Sequence, residues 1–337
     1  MKSFIKAIDY YLPEKVLDNN DLKKENPDWD MDELFKVTGV RRRYIRAEGE
    51  TPSDLAVEAA KKLFKKNDIN PSDIEYIVFC TQSNDYICPT TACVIQEKLK
   101  ISKSCGTVDI NQGCTGFVYS LSLAKALIES RQANNVLVLT AETISRYIHP
   151  KDKSSRPIFG DGAAACLVEA TDESSGIGDF VFGTDGKGYR NIIIDYGCAR
   201  NDMPQADEIY EVTDNYGNIR HNTSFYMNGS AVFLFSAKTG PKLIKDLLNK
   251  AGLTLDDIDL VVFHQASKLI METVARKANI PKEKYYIHIE DCGNTVSSTI
   301  PIALYHAMED NRTKKGDTVM FVSFGVGYSW AACVLEL

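Results

Sequence analysis

Two stretches of this chain are written almost alike: INPSDIEYIVFC at residues 69–80 and LTLDDIDLVVFH at residues 253–264, with 184 positions separating Cys80 from His264. The helical segment before each copy also ends alike, as LFKKN at 63–67 and LLNKA at 247–251. Further on, ANNVLVLT (133–140) is answered by KGDTVMFVS (315–323), and AAACLVEA (163–170) by WAACVLEL (330–337). Self-similarity on this scale means that one structural unit is used twice. Each unit alternates short apolar runs with stretches of helical periodicity, which predicts mainly parallel sheets covered by helices on both faces. The expected fold is therefore α/β, with two duplicated halves, 1–172 and 173–337, packed about a pseudo-twofold axis. Residues 171–225 are rich in Gly, Asp and Asn and read as an insertion holding strands at Phe180 to Thr184 and Ile192 to Tyr196. Such a segment either shapes a cleft or is a plain surface excursion.

Bulk properties narrow the function. The formal charge of −7 argues against a nucleic-acid partner, which needs a concentrated basic face. Arg41-Arg42-Arg43 and Arg276-Lys277 could still dock an acidic partner, although a charge run is more often a solvated face. No apolar run reaches the roughly 18–20 residues of a membrane span. The beginning, MKSFIKAIDYYLPEK, has no apolar core of the signal-peptide kind. Nine cysteines with no CxxC pair then predict free thiols in a reducing cytoplasm, not a disulfide framework or a zinc site. Eight of them read as small hydrophobes.

The ninth is Cys114. In CGTVDINQGCTGFVYSLSLAKALIES (105–130), Gly106 to Ile110 reads as a buried strand, and from Thr115 the residues Phe117, Leu121, Ala124 and Ile128 recur at helical spacing. Cys114 crests the turn between them, near a helix N-terminus, where unpaired N–H groups are expected to lower a thiol pKa. His264 stands at the carboxyl end of the strand Leu260 to Phe263. Asn294 follows a short strand expected at Tyr285 to Ile289, and read alone it would cap a helix from Thr295 to Met308. Ligand sites in such sheets lie at the carboxyl ends of strands. Duplicated halves would bring these three positions together as a nucleophile and two polar groups, suited to thioester chemistry. His149, His221, His288 and His306 have no comparable context and read as structural or exposed.

At this point the chain resembles a family. GCTGF at 113–117, FHQAS at 263–267, CGNTVSSTIP at 292–301 and SFGVGYSWA at 323–331 resemble 3-oxoacyl-acyl carrier protein synthase III, of the thiolase-like superfamily. VTGVRRRYI (37–45), FGDGAAA (159–165) and MNGSAVF (227–233) extend the resemblance over essentially the whole chain. It implies a ping-pong decarboxylative condensation, as in fatty acid biosynthesis. Cys114 would take a starter acyl group from acyl-coenzyme A or an acyl carrier protein. His264 and Asn294 would hold the thioester carbonyl of malonyl-acyl carrier protein as carbon dioxide leaves. Backbone N–H groups of Cys114 and of the loop at Val326 would form the oxyanion hole, where one donor is typically worth about 3–4 kcal/mol. Phe324 would shield the thiolate. By the same resemblance Cys88 and Phe159 belong to the acyl pocket, and Ser230, Phe233, Ala266 and Ser267 to the pantetheine tunnel. Lys268, Arg276 and Lys277 would dock the carrier protein. The resemblance also implies a cytoplasmic homodimer with no metal or redox cofactor.

The chain departs from the family pattern at several places. Val326 replaces a loop glycine. Glu33 and Val37 stand where a tryptophan and an arginine usually hold the adenine of coenzyme A, and Lys153 replaces a phosphate-binding arginine. Ser230 and Ser267 replace tunnel asparagines, and Leu269 replaces a docking arginine. Cys88 replaces a phenylalanine that reaches the partner's acyl pocket, which implies room for a longer or branched starter. Adenine recognition is thus weakened, so the starter is expected on a carrier protein, or on coenzyme A bound differently. Two other readings stay open: a same-fold acyltransferase serving an alcohol or amine without decarboxylation, and a catalytically silent scaffold.

Overall fold

A computed structural model describes residues 1–173 and 176–337. Ten strands form its two main sheets: β1 (Lys2–Tyr11), β2 (Tyr76–Cys80), β3 (Gly106–Ile110), β4 (Asn135–Glu142), β5 (Gly162–Thr171), β6 (Ile177–Thr184), β7 (Leu260–Phe263), β8 (Tyr285–Tyr286), β9 (Thr318–Gly325) and β10 (Ser329–Glu336). The first sheet has the order β1-β5-β4-β2-β3 and the second β6-β10-β9-β7-β8. Adding five to each strand of one sheet generates the other, so the repeat in the sequence is a repeat of topology. In each sheet four strands point one way and one, β5 or β10, runs against them.

Period-2 alternation splits each strand between two cores. Val78 of β2 and Leu260 and Val262 of β7 face a central layer, while Ile77, Phe79, Val261 and Phe263 face outward. The central layer holds two helices, α3 (Gly116–Glu129) and α6 (Thr299–Glu309), through Phe117, Leu121, Ile128, Ile300 and Leu304. Helices α1 (Pro52–Asn67) and α2 (Thr91–Leu99) cover the outer face of the first sheet, and α4 (Gly229–Ala251) and α5 (Lys268–Lys277) that of the second. Five layers result. Each fully buried Leu, Ile or Phe contributes about 1.5–3 kcal/mol. Helix starts follow local chemistry: Thr51 and Asp54 close a capping box on α1, and the Ser267 hydroxyl accepts from Ile270 N–H at the start of α5. Among the described residues, no helix is long and apolar enough to cross a membrane.

Three sequence expectations need correction. Ile177–Thr184 is the outer strand of the second sheet, paired with β10, so the irregular segment begins only after Thr184. Within that segment the strand at Ile192 stops at Ile193, paired with Tyr226–Met227, and a ribbon of Glu211–Thr213 with Ile219–His221 was not foreseen. The strand at Tyr285 ends at Tyr286, because the next stretch leaves the sheet: His288 N–H is donated to the Gln265 side-chain carbonyl at 2.8 Å.

Candidate active site

Cys114, His264 and Asn294 open onto one cavity of about 580 Å³. The elements that carry them come from both halves. Cys114 lies two residues before α3 begins. Its turn is tied to the last loop by Thr115 Oγ1, 2.9 Å from Ser329 Oγ, which donates to the Val326 carbonyl. His264 follows β7 directly and its N–H reaches the Val322 carbonyl of β9. Asn294 is clamped by the first half, donating its N–H to Ile158 and accepting from Gly160 N–H. Gly293 makes that approach possible, since it has φ +71° and a Cβ there would stand 2.9 Å from the Ile158 carbonyl oxygen.

The side chains are aimed by further bonds. Asn294 Oδ1 accepts from Val296 N–H at 2.9 Å, which leaves Nδ2 as the end facing the cavity with only a long contact to the Ala266 carbonyl. This is an Asx turn leading into a 3-10 turn at Val296–Ser298, and α6 starts later than expected, at Thr299. His264 is 1% exposed, and burial drives its pKa down to about 3 against a smaller opposing effect of the Val296 carbonyl. At neutral pH it is an uncharged imidazole.

The expected low pKa of Cys114 is not found. Burial pushes the thiol up to about 11, with Glu142 adding to the rise, while the N–H groups of Val326 and of Cys114 itself pull the other way. Desolvation is the largest cause and outweighs these hydrogen bonds. Those same two N–H groups favour negative charge at the sulfur side of the cavity, which suits an oxyanion hole.

Phe159, Ser230, Phe233, Ala266, Ser267, Phe324 and Val326 all line this cavity. Cys88 does not: it is exposed, next to Ile87 at 96% exposure. Lys268 begins α5 with its stem against Gly39, near the cavity mouth. Arg276 and Lys277 lie at the far end of that helix, roughly 12 Å along its axis. Lys277 donates to the Ala237 carbonyl at 3.2 Å. The mouth is apolar, with Leu34, Val37, Leu234 and Leu269, and Lys153 is the one cation among the described lining residues. Glu33 points to solvent and pairs with Lys36 on its own helix.

Several residues were not anticipated. Gln82 lines the cavity beside Cys114, held at a turn whose N–H is donated to Glu142. Glu142 is fully buried, accepts also from Ser83 Oγ at 2.8 Å, and has its carboxyl pushed up to about 8 by burial. Gly325 and Thr299 complete the set. Of the remaining histidines, His288 and His306 stack at 3.7 Å. His149, Glu211 and His221 converge with potential ligand atoms within 4.8 Å. However, Lys151 N–H points at His149 Nδ1, which places the ring proton on Nε2, beside Glu211. That tautomer suits a carboxylate, not a cation.

A duplicated five-layer α/β fold with cysteine, histidine and asparagine at its seam defines a thiolase-like condensing enzyme. The chain belongs to the 3-oxoacyl-[acyl-carrier-protein] synthase III family: residues 108–186 match the family model, and residues 248–337 match that of its C-terminal region. The beta-ketoacyl-[acyl-carrier-protein] synthase III of Clostridium perfringens is 36% identical over 330 residues, covering 97% of each chain. A crystal structure of a 3-oxoacyl-(acyl-carrier-protein) synthase III superposes with a TM-score of 0.97 at 43% identity over 100% of both chains. The Thermus thermophilus beta-ketoacyl synthase III gives 0.88 at 32% identity over 99% of both.

Proposed function

We propose that the chain condenses a Cys114-bound starter acyl group with malonyl-acyl carrier protein, releasing carbon dioxide and a 3-oxoacyl-acyl carrier protein. The observation that carries this reading is the convergence of Cys114, His264 and the oriented Asn294 amide on one largely apolar cavity. The thiol supplies the nucleophile, the Val326 and Cys114 N–H groups face the tetrahedral oxygen, and the polar wall at Asn294 and His264 receives the enolate. The reading asks for no resident metal or redox cofactor. An acceptor alcohol or amine is less well served, because Asn294 and His264 would then have no decarboxylation to assist.

The cavity mouth favours a starter delivered on a carrier protein. Leu34, Val37, Leu234 and Leu269 offer apolar area to a protein surface, and Lys153 and Lys268 offer charge to its phosphopantetheine and acidic rim. A second copy of the chain fits the free edge of β3. Every residue of Gly106–Ile110 is partly exposed, yet Val108 and Ile110 pack on the central core, and the exposed Tyr86 and Ile87 lie on the loop after the neighbouring strand. The proposal places this homodimer in the cytoplasm.

Intact-protein mass after exposure to a panel of acyl-coenzyme A and acyl-carrier thioesters tests the reading, beside Cys114→Ala. The expected result is an adduct absent from the variant and discharged by malonyl-carrier protein as a 3-oxoacyl product. An adduct that malonyl-carrier protein fails to discharge overturns condensation in favour of simple acyl transfer.

A further inference from the structure

Val326 belongs to a turn of three residues, Val326 to Tyr328, between β9 and β10. A backbone N–H helps a developing oxyanion only when it is held in place beforehand, so the braces of this turn decide its use. Three braces are present. The Val326 side chain rests against the nucleophile turn, where a Cβ on Gly113 would stand 2.5 Å from Val326 Cγ1. Ser329 Oγ holds the Val326 carbonyl at 2.9 Å. The third brace is Tyr328, which is 7% exposed and is not among the described residues that line the cavity. Its N–H is donated to the Asp185 carbonyl and its carbonyl accepts from Asp185 N–H, both at 3.0 Å. This pair continues the ladder of β6 and β10 by one residue. The Tyr328 ring stacks on Phe235 of α4, with centroids 4.0 Å apart and planes within 4°. Gly188, in the 3-10 turn Gly186–Asn191, meets the same ring. A Cβ there would sit 2.5 Å from Cε2, 2.6 Å from Cγ and closer still to Cδ2 between them. That spacing puts it over the ring, on the face away from Phe235, because the parallel Phe235 ring fills the other.

We propose that Tyr328 is a positioning residue: wedged between Phe235 and Gly188, its ring sets where the Val326 N–H points. The inference rests on the attack of Cys114 on a thioester, as in the reading above. It gives the irregular segment after Thr184 a part in the reaction, although no residue of Gly186–Asn191 is among those lining the cavity. A side chain at position 188 would drive the ring towards Phe235 and carry the turn with it. The Val326 N–H serves twice. It favours negative charge on the Cys114 sulfur, and it faces the oxygen of the tetrahedral intermediate. Alkylation of Cys114 by iodoacetamide forms no oxyanion, so it uses only the first service. Acylation by a thioester uses both.

The test compares Tyr328→Leu, Gly188→Ala and Tyr328→Phe with the wild-type full-length chain. Single-turnover acylation of Cys114 by acetyl-, isobutyryl- and octanoyl-carrier protein is followed by intact mass, and iodoacetamide alkylation by the mass of the Cys114 peptide from pH 6 to 9. Losing an oxyanion donor costs about 10²–10³-fold, so displacing one should slow acylation at least about tenfold in Tyr328→Leu and Gly188→Ala. Alkylation at pH 8 should slow by about threefold or less, with its profile moved to higher pH. Tyr328→Phe keeps the stacked ring and should match wild type in both reactions. Gly188→Ala keeps both rings, so it tests the wedge even where Tyr328→Leu does not fold. Acylation within threefold of wild type in Gly188→Ala, or equal slowing of the two reactions, overturns the inference. Faster alkylation in either variant also overturns it, because the cavity would then have opened around the thiol. A wild type that none of these thioesters loads overturns the condensing reading instead. The alkylation profiles would still decide the role of Tyr328, which falls if neither variant moves them.

Discussion

Gly325 closes on Cys114: a Cβ built on that glycine would lie 2.5 Å from the sulfur and 2.6 Å from the cysteine Cβ. The end of β9 therefore sets the rotamer of the nucleophile, and only hydrogen fits between the two backbones. Gly325→Ala should force the thiol off its present rotamer and slow Cys114 acylation by about 10²-fold, as small misplacements of reacting groups do. Its thermal midpoint should fall as well, since rotating the thiol leaves the Cys114 Cβ 2.6 Å away and one of the two backbones must shift. Adduct mass and a melting curve check both. Acylation within threefold of wild type would show that Gly325 does not set the rotamer.

Because burial pushes the Cys114 thiol up to about 11, it is protonated at neutral pH. The thiolate fraction then grows about tenfold per pH unit well below that pKa. Iodoacetamide alkylation of Cys114 should accordingly rise steeply from pH 6 to 8. Above pH 8 the slope should flatten as Glu142 gains its charge and opposes a second anion. Glu142→Gln should keep the steep slope to higher pH. A flat wild-type profile between pH 6 and 8 would mean a preformed thiolate–imidazolium pair.

His264 is neutral in the folded chain down to about pH 3 but protonates near 6.5 when unfolded. Between these values the unfolded state binds the extra proton, so stability falls as pH falls through 6.5. Lowering pH to 4.5 should cost the folded state ~2–3 kcal/mol through this one buried ring. The loss should be smaller by that amount in His264→Gln. Denaturant titrations of both proteins at pH 7.5 and 4.5 measure it. Parallel losses in the two proteins would mean that the ring is protonated in the fold.

The free edge of β3 predicts a particle of twice the chain mass of 37.5 kDa in light scattering after size exclusion. A monomer at micromolar concentration would leave Val108, Ile110 and Ile87 unexplained. A stable pair should also bury Cys93, which is exposed in the single chain, and slow its modification.

The duplication was legible because apolar strands keep their pattern when everything around them drifts. The offset from Cys80 to His264 already aligned β2 with β7, and the ends of those strands are where the site assembled. Position on a strand end says little about energetics, however. The raised thiol pKa of Cys114 comes from burial, which exists only once the chain has folded around it. Thr299 looks like any residue in a first helical turn, and only the fold sets it against a histidine 35 positions away. Arg276 and Lys277 follow Lys268 on the same helix, yet a helix of ten residues carries its last turn far from its first. β6 was mistaken for insertion because alternate residues face solvent and its glycines dilute the pattern.

The n-plus-five correspondence of the two sheets has a consequence for how such a chain can change. Cys80 occupies in the first half the place that His264 occupies in the second, and it is now a buried thiol pointing at the Gln112 carbonyl beneath the nucleophile turn. The ancestral symmetry has thus been broken into complementary specialists: one half kept the nucleophile, the other the imidazole and the amide. Neither half retains a working set, so selection acts on the seam. Thr140–Ser298, Thr115–Ser329 and Ile158–Asn294 are the stitches where a drift in one half must be answered by the other.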